Sequence, residues 1–280
     1  MSENQPLVSC VINTFNRPDL VLEALESVLS QTYKNLEIII IDDCSTANYS
    51  NLLNSYSESI IYKKNKTNLG LSASRNVGVS IAKGDYIAFL DDDDVWFEKK
   101  IELQVKVLEK SYKYIACSCS HVESESKKVI FHQEIFNKKD ILKENLIGPP
   151  SKIFVRSSAF KKVKFDEELK HAEDWDLYLS LLDFSDVFCI KEPLVKYNTG
   201  HFERMTNGFS KLSIEEIKSK ALATYKNKSV IGDSNFTERM AFYYLCGLPM
   251  RSNKVIFLFR LIPEIGFLNI IKEVFKRALR

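Results

Sequence analysis

Residues 7–43 read LVSCVINTFNRPDLVLEALESVLSQTYKNLEIIIIDD. Leu7–Ile12 is a short apolar run of the kind that fills a buried strand. Pro18 opens a helical pattern, because its fixed φ suits the first helical position. Leu20, Val21, Ala24, Leu25, Val28 and Leu29 then recur at helical spacing. Leu36–Ile41 is a second apolar run, rich in isoleucine. Strand, helix and strand in so short a span make a βαβ unit, with parallel strands buried on both faces.

Downstream the same alternation continues. Ser59–Tyr62 fits a third strand, and Asn68-Leu69-Gly70 reads as a turn. A helix is predicted over Ser72–Lys83, with Gly84 at the C′ position, where glycine takes a left-handed conformation. Asp85–Leu90 is a strand that ends in four aspartates, Asp91–Asp94. Ile101, Val105 and Leu108 mark one more helix, and Tyr112–Ser120 is strand-like. The second half is less regular. Ser151–Val155 fits a strand after the rigid Gly148-Pro149-Pro150 turn, and Glu173–Asp183 a helix whose Trp175 and Tyr178 belong to its core face. Two short strands follow, Asp186–Ile190 and Leu194–Tyr197, and beyond Ser213 the pattern is mostly helical. The expected class is α/β, a mostly parallel sheet flanked by helices with a helical C-terminal extension.

The chain has 280 residues, 45% hydrophobic and 27% charged, enough for one large α/β domain with an appendage or for two small domains. Its 18 Phe and 12 Tyr argue for a packed core. The net charge of +2 supplies no global field for nucleic acid. Six cysteines (Cys10, Cys44, Cys117, Cys119, Cys189 and Cys246) form no CxxC pair, so reduced thiols and a cytoplasmic location are expected. The first residues, MSENQP, show no signal-peptide pattern, and no apolar stretch reaches the length of a spanning helix.

Charge is uneven. Residues 251–280 hold seven Lys/Arg and two Glu, a balance of +5, which leaves −3 for the remainder. The basic residues alternate with bulky apolar ones such as Phe257, Phe259, Ile262, Phe267, Ile271 and Phe275. That pattern suits helices lying in an anionic membrane interface, and it equally suits helices packed on a domain. Pro263 and Gly266 are expected to split the segment into two helices.

Asp91–Asp94 stand at the carboxyl end of a predicted strand, the end at which open α/β sheets bind ligands. Adjacent carboxylates repel one another unless a cation intervenes. Hard oxygen donors suit Mg²⁺ or Mn²⁺, which complete their shell with substrate phosphates. The residues alone also fit a solvated acidic loop that caps the next helix. Asp42-Asp43 end the second strand on the same edge, where an Asx-turn is the alternative. Thr14 and Asn16 end the first. Asn13-Thr14-Phe15-Asn16-Arg17 lacks the glycines of a dinucleotide-binding turn, and no GxxxxGK[ST] occurs.

Four blocks taken together carry a family resemblance. They are VINTFNRPDL (11–20), LEIIIIDDCS (36–45), NLGLSASRNVGVSIAKGDYIAFLDDDD (68–94) and AEDWDLYLSL (172–181). In order and spacing they resemble the family 2 inverting glycosyltransferases of the GT-A fold, of the bacterial surface-polysaccharide type. The resemblance covers roughly residues 6–200. It implies a glycosyltransferase domain over 1–205, with a nucleotide-binding half (1–115) and an acceptor half (116–205), and leaves 206–280 as the extension. It implies a UDP-hexose donor, a saccharide acceptor that is lipid-linked through a polyprenyl diphosphate, and Mn²⁺ or Mg²⁺. By resemblance, Asp43 meets the donor base, Thr14 and Asn16 line the nucleotide pocket, and Arg75 sits beside the nucleotide. Asp91-Asp92-Asp93 match the DxD motif, with Asp91 toward the ribose or sugar and Asp93 on the metal. Asp92 stands where the family carries a small residue. Asp174 resembles the catalytic base, and His201 a histidine near the metal. The resulting expectation is inverting hexosyl transfer at the inner face of the cell membrane, with peripheral contact through 251–280. The alternative from another class is an inactive scaffold that binds nucleotide or glycan.

Overall fold

The computed structural model describes residues 5–199 and 209–278. The opening βαβ unit forms as the pattern predicts: β1 (Val8–Thr14), α1 (Pro18–Leu29), β2 (Leu36–Asp42). β1 pairs in parallel with β2 from Val8↔Leu36 to Thr14↔Asp42, so the two strands end level. All seven β1 residues are buried, which is why its sequence does not alternate. A short helix α2 (Tyr49–Leu52) leads to β3 (Ile60–Lys64), parallel to β2. Then α3 (Leu71–Ile81) returns to β4 (Tyr86–Asp91), which lies parallel to β1 on its other side, with Asn13 opposite Asp91. The polar ends of β1, β2 and β4 therefore meet along one edge.

Gly84 is not the C′ residue of α3. That helix stops at Ile81 and its cap, Ala82, is extended. Gly84 lies instead where backbone meets backbone: a Cβ there would stand 2.6 Å from the Ser9 amide nitrogen. Close approach, not a left-handed turn, is what demands glycine at this position.

Beyond β4 come β5 (Val95–Trp96), α4 (Lys100–Lys110), β6 (Ala116–Glu123), β7 (Val129–Ile130), β8 (Ile135–Phe136), β9 (Phe154–Arg156), α5 (Glu173–Leu181) and β10 (Val187–Tyr197). The sheet has ten strands in the order β3-β2-β1-β4-β9-β6-β10-β5, with β7 on β6 and β8 on β10. β9 runs antiparallel to both β4 and β6 and joins two parallel sectors. The two strands expected over 186–197 are one: β10 pairs with β6 throughout, with register shifts on both sides of Pro193. Proline lacks a ladder donor, so the pairing bulges there without ending.

The chain divides into two compact units. The first holds the sheet. The second gathers Leu142–Asn145, Leu169–Asp176 and the helices after β10. Those helices are α6 (Ile214–Lys220), α7 (Leu222–Lys226), α8 (Lys228–Leu245), α9 (Lys254–Ile265) and α10 (Phe267–Ala278). Ser213 and Glu216 close a reciprocal capping box on α6. Ile217, Met240, Tyr244, Leu245, Phe257, Leu261 and Ile265 fill the core of this unit. Pro263 lies inside α9, and the break falls at Gly266 alone, whose φ of +78° few side chains tolerate.

Candidate active site

The edge at the ends of β1, β2 and β4 is built from carboxylates and the groups that restrain them. Asp42, fully buried, accepts from the Ser45 amide (2.7 Å) and the Tyr62 hydroxyl (2.7 Å). It takes the turn role. Asp43 accepts from the backbone amides of Leu69 and Gly70, each at 2.8 Å, and from Asn65 Nδ2 at 2.9 Å. Its carboxylate thus ties the end of β2 to the loop that opens α3.

Asn16 adopts a left-handed φ of +55°, which asparagine tolerates better than most residues. Its side-chain oxygen accepts from the amide (2.8 Å) and hydroxyl (3.0 Å) of Thr46. The Thr14 hydroxyl lies 3.0 Å from that of Tyr49, which also accepts from the Arg17 amide at 2.7 Å. Thr14 and Asn16 therefore fix the β1 turn against the segment after β2.

The four aspartates form a tight turn, closed by the Asp94 amide donating to the Asp91 carbonyl at 3.1 Å. The turn sorts them into two kinds. Asp92 and Asp94 point inward and are buried. Burial pushes the Asp92 carboxyl up to about 6, against the opposing pull of Arg17 and the Thr14 hydroxyl. Burial, and the charges of Asp91 and Asp93, hold Asp94 well above the usual carboxylate range. The Asp94 carboxylate accepts from the Asn198 amide at 3.0 Å. The side chains of Asp91 and Asp93 keep 25% and 29% of their exposure, so the outward pair is the first and third of the run. Along the turn, partly exposed and buried carboxylates alternate.

Two arginines answer this charge. Arg75, buried on α3, donates from Nη2 to Asp91 Oδ1 at 2.6 Å and lies 5.2 Å from the centre of the Phe165 ring. Arg17 Nη1 reaches Asp92 Oδ1 at 3.1 Å and Asp93 Oδ2 at 3.2 Å. In sequence Arg17 is only the residue before Pro18, and nothing there signals a bridge to residues 75 and 76 positions away. Asn65, Tyr49 and Tyr62 are likewise invisible until the strands align.

The described residues contain no group of three or more His, Cys, Asp or Glu arranged to hold a metal. One or two exposed carboxylates are what Mg²⁺ or Mn²⁺ uses when nucleotide phosphates supply the rest of its shell, and Asp91 with Asp93 fits that donor set. His201 lies outside the described residues.

Asp174 belongs to the second unit. It stands in the first turn of α5, where Oδ1 accepts from the Trp175 amide (2.7 Å) and Oδ2 from Asn145 Nδ2 (2.7 Å). It lines a cavity of about 260 Å³ together with Lys143, Glu238, Phe242, Glu273 and Lys276 among others. Arg239 supports the wall: its guanidinium stacks 3.5 Å from the centre of the Trp175 ring and donates to the Lys143 carbonyl at 2.9 Å. Asp176 is buried and takes Asn227 Nδ2 at 2.7 Å and Lys226 Nζ at 2.8 Å, a structural anchor one helical residue pair from Asp174. Trp175 is wholly buried, as its core reading predicts.

Open α/β sheets bind their ligands at this carboxyl edge of the strands. The family model for glycosyl transferase family 2 matches residues 9–169, and the chain belongs to that family. An uncharacterized glycosyltransferase of Methanocaldococcus jannaschii is 32% identical, over 97% of this chain and 94% of its own. The putative colanic acid biosynthesis glycosyl transferase WcaA of Escherichia coli K12 is 30% identical, over 72% of this chain and 75% of its own. WfaP of Escherichia coli, a UDP-Glc:alpha-D-GlcNAc-diphosphoundecaprenol beta-1,3-glucosyltransferase, is 42% identical over 42% of this chain and 48% of its own. Among solved structures, S. aureus TarS (residues 1–349) in complex with UDP-GlcNAc superposes with a TM-score of 0.70 at 17% identity, covering 93% of this chain and 82% of that one. The mannosyltransferase PcManGT of Pyrobaculum calidifontis, in complex with GDP-Man and Mn²⁺, gives 0.60 at 14% identity, covering 98% and 80%. At such identities the two structures establish the shared GT-A fold.

Proposed function

We propose that this chain is a metal-dependent, inverting hexosyltransferase. It moves a hexose from a UDP-sugar to a hydroxyl of a lipid-linked saccharide during cell-surface polysaccharide assembly. The observation that carries the proposal is the sorting of the aspartate turn, which leaves Asp91 and Asp93 outward at the end of β4 while Asp92 and Asp94 turn in. Asp93 would hold Mn²⁺ or Mg²⁺, and by the family resemblance His201 would be a further candidate ligand. Asp91 faces the ribose or sugar. Asp43, with lone pairs left beyond its three amide donors, reads the uracil, and Thr14, Asn16 and Arg75 shape the nucleotide pocket. When bound, the metal neutralises the charge that builds on the departing diphosphate.

Asp174 accepts the proton of the acceptor hydroxyl. The oxygen attacks the anomeric carbon on the face opposite the diphosphate, the C–O bond to the phosphate breaks, and UDP leaves with the bonding pair. One displacement inverts the configuration. Neutral amides from Asn145 and Trp175 orient Asp174 for that task. Support for the donor and acceptor classes comes from the UDP-sugar and the diphosphoundecaprenol acceptor named for WfaP, and from the UDP-GlcNAc bound by TarS. The polysaccharide setting draws on WcaA.

The decisive experiment is slow hydrolysis of a nucleotide-sugar panel by the purified chain, with and without Mn²⁺ or Mg²⁺. UDP release from UDP-glucose or UDP-galactose that stops on chelation is the expected result. Binding without turnover of any donor, with metal present, identifies an inactive scaffold and overturns the proposal.

A further inference from the structure

The C-terminal unit uses α9 twice. One face, with Phe257, Leu261 and Ile265, packs into the core of the unit. A second face, with Val255, Phe259 and Ile262, is also apolar and is not part of that core. With α10 it walls a groove of about 290 Å³ whose nine lining side chains are all aliphatic or aromatic. The walls are not hidden from solvent. Phe259 and Phe275 remain 68% and 65% exposed, and Leu268 near the start of α10 71%. Soluble monomers rarely present so continuous an apolar surface without a partner.

α10 shows why the second face exists. Phe267, Ile270, Ile271, Val274 and Phe275 recur at helical spacing and line the groove. Glu273 and Lys276 of the same helix line the cavity that contains Asp174. One helix thus forms a wall of both features. Lys254, Arg260 and Lys272 of the same two helices are exposed. Of the acidic residues in the segment, Glu264 is already held by Lys218 Nζ at 2.9 Å.

We propose that the α9–α10 hairpin docks on an anionic lipid surface, its apolar groove in the interface and its lysines and arginine among the headgroups, so that α10 brings the Asp174 cavity to a lipid-borne acceptor. The charge decides the occupant. A second copy on the same helices would bring their exposed basic residues toward their equivalents, because a two-fold interface pairs a surface with itself. Anionic headgroups neutralise those residues while the apolar side chains leave water. No helix among the described residues is long and apolar enough to cross a membrane, so the contact is interfacial. The link to the acceptor rests on Asp174 as the base; the lipid contact does not.

The test uses the full chain with vesicles of phosphatidylcholine, alone and mixed with phosphatidylglycerol. Co-sedimentation is expected with the anionic vesicles, weakening as salt rises. Lys254→Gln and Lys272→Gln each weaken it by about fivefold, the equivalent of one interfacial charge. The double variant Phe259→Asp, Phe275→Asp abolishes it while keeping UDP-sugar hydrolysis, since both residues are exposed and neither serves the donor. The same variant loses turnover on a vesicle-borne acceptor and keeps it on a short soluble one. Failure of the wild-type chain to bind anionic vesicles overturns the proposal. So does a wild-type dimer in sedimentation velocity that the double variant converts to monomer, because the patch then belongs to a second copy. If vesicle binding holds while Asp174→Asn transfers normally, the lipid surface stands and the assignment of the base falls.

Discussion

The strand-end edge of the first unit and the Asp174 cavity of the second restrain their carboxylates in different ways. At the edge, charge answers charge: Arg75 takes Asp91, and Arg17 spans Asp92 and Asp93. In the cavity, Asp174 accepts from the amides of Trp175 and Asn145. In the function proposed above, the edge receives a polyanion and a cation, and its own charges stay balanced until they arrive. The Arg239 guanidinium on the same wall also feels the Asp174 charge, so what sets the cavity apart is the pair of amides that orient the carboxylate. In that proposed function, the difference separates two tasks, holding a leaving group and moving a proton.

That separation predicts distinct failures, and the largest belongs to the edge. Asp93→Ala should abolish transfer while the fold survives, since it removes one of several repelling carboxylates. Excess EDTA should do the same to the wild-type chain. Full activity in EDTA would break the comparison at its first term. Asp174→Asn keeps shape and removes the proton acceptor, at a cost on the order of 10²–10⁴-fold in turnover. Donor affinity, measured by UDP titration, should stay at the wild-type value. Turnover within a factor of about two of wild type excludes Asp174 as a general base.

Asp43 sharpens the comparison, because the structure gives it a second duty. Asp43→Ala should weaken UDP binding by about 1.5–3 kcal/mol, the range for a hydrogen bond to a charged group. It should also lower thermal stability, since the amides of Leu69 and Gly70 lose their acceptor. Asn65→Ala removes a donor to the same carboxylate without removing the carboxylate itself. If the two variants lose stability alike and neither changes UDP affinity, Asp43 is an anchor and not a reader of the base.

The same contrast explains what the sequence disclosed. Edge residues sit at strand ends, so a βαβ pattern and a run of aspartates were enough to bring Thr14, Asn16, Asp43 and Asp91–Asp93 to one side of a parallel sheet. Side-chain partners were not legible, because Arg17 and Asp93 come together only when β1 and β4 pair. The cavity draws on four separated stretches of chain, and no local period joins Asn145, Asp174, Glu238 and Glu273. Burial overrode polarity at Lys100, whose ammonium lies fully buried 3.9 Å from the centre of the Trp96 ring, with Gln104 at 2.7 Å. Nothing in a helix that reads KIELQVKVLEK marks its first lysine as interior. Gly84 shows the reverse error: a helix-end signal was present, and a backbone approach made by a distant strand was the true cause.

The smallest expected effect tests whether the cavity is the acceptor's. Lys143 lies on its wall and pairs with Glu238, both side chains roughly half exposed at 47% and 44%. Exposed ion pairs contribute about 0–1 kcal/mol, so Lys143→Gln should move the unfolding transition little. The substitution nearly preserves length and removes one charge from the lining. Should the acceptor occupy this cavity, its KM rises by roughly fivefold, equivalent to about 1 kcal/mol for one lost polar contact, while the KM for the UDP-sugar stays fixed. Steady-state kinetics with each substrate varied in turn separate the two constants. A change confined to the donor KM would assign the cavity to the wrong substrate, and the contrast between a donor edge in one unit and an acceptor cavity in the other would then fail.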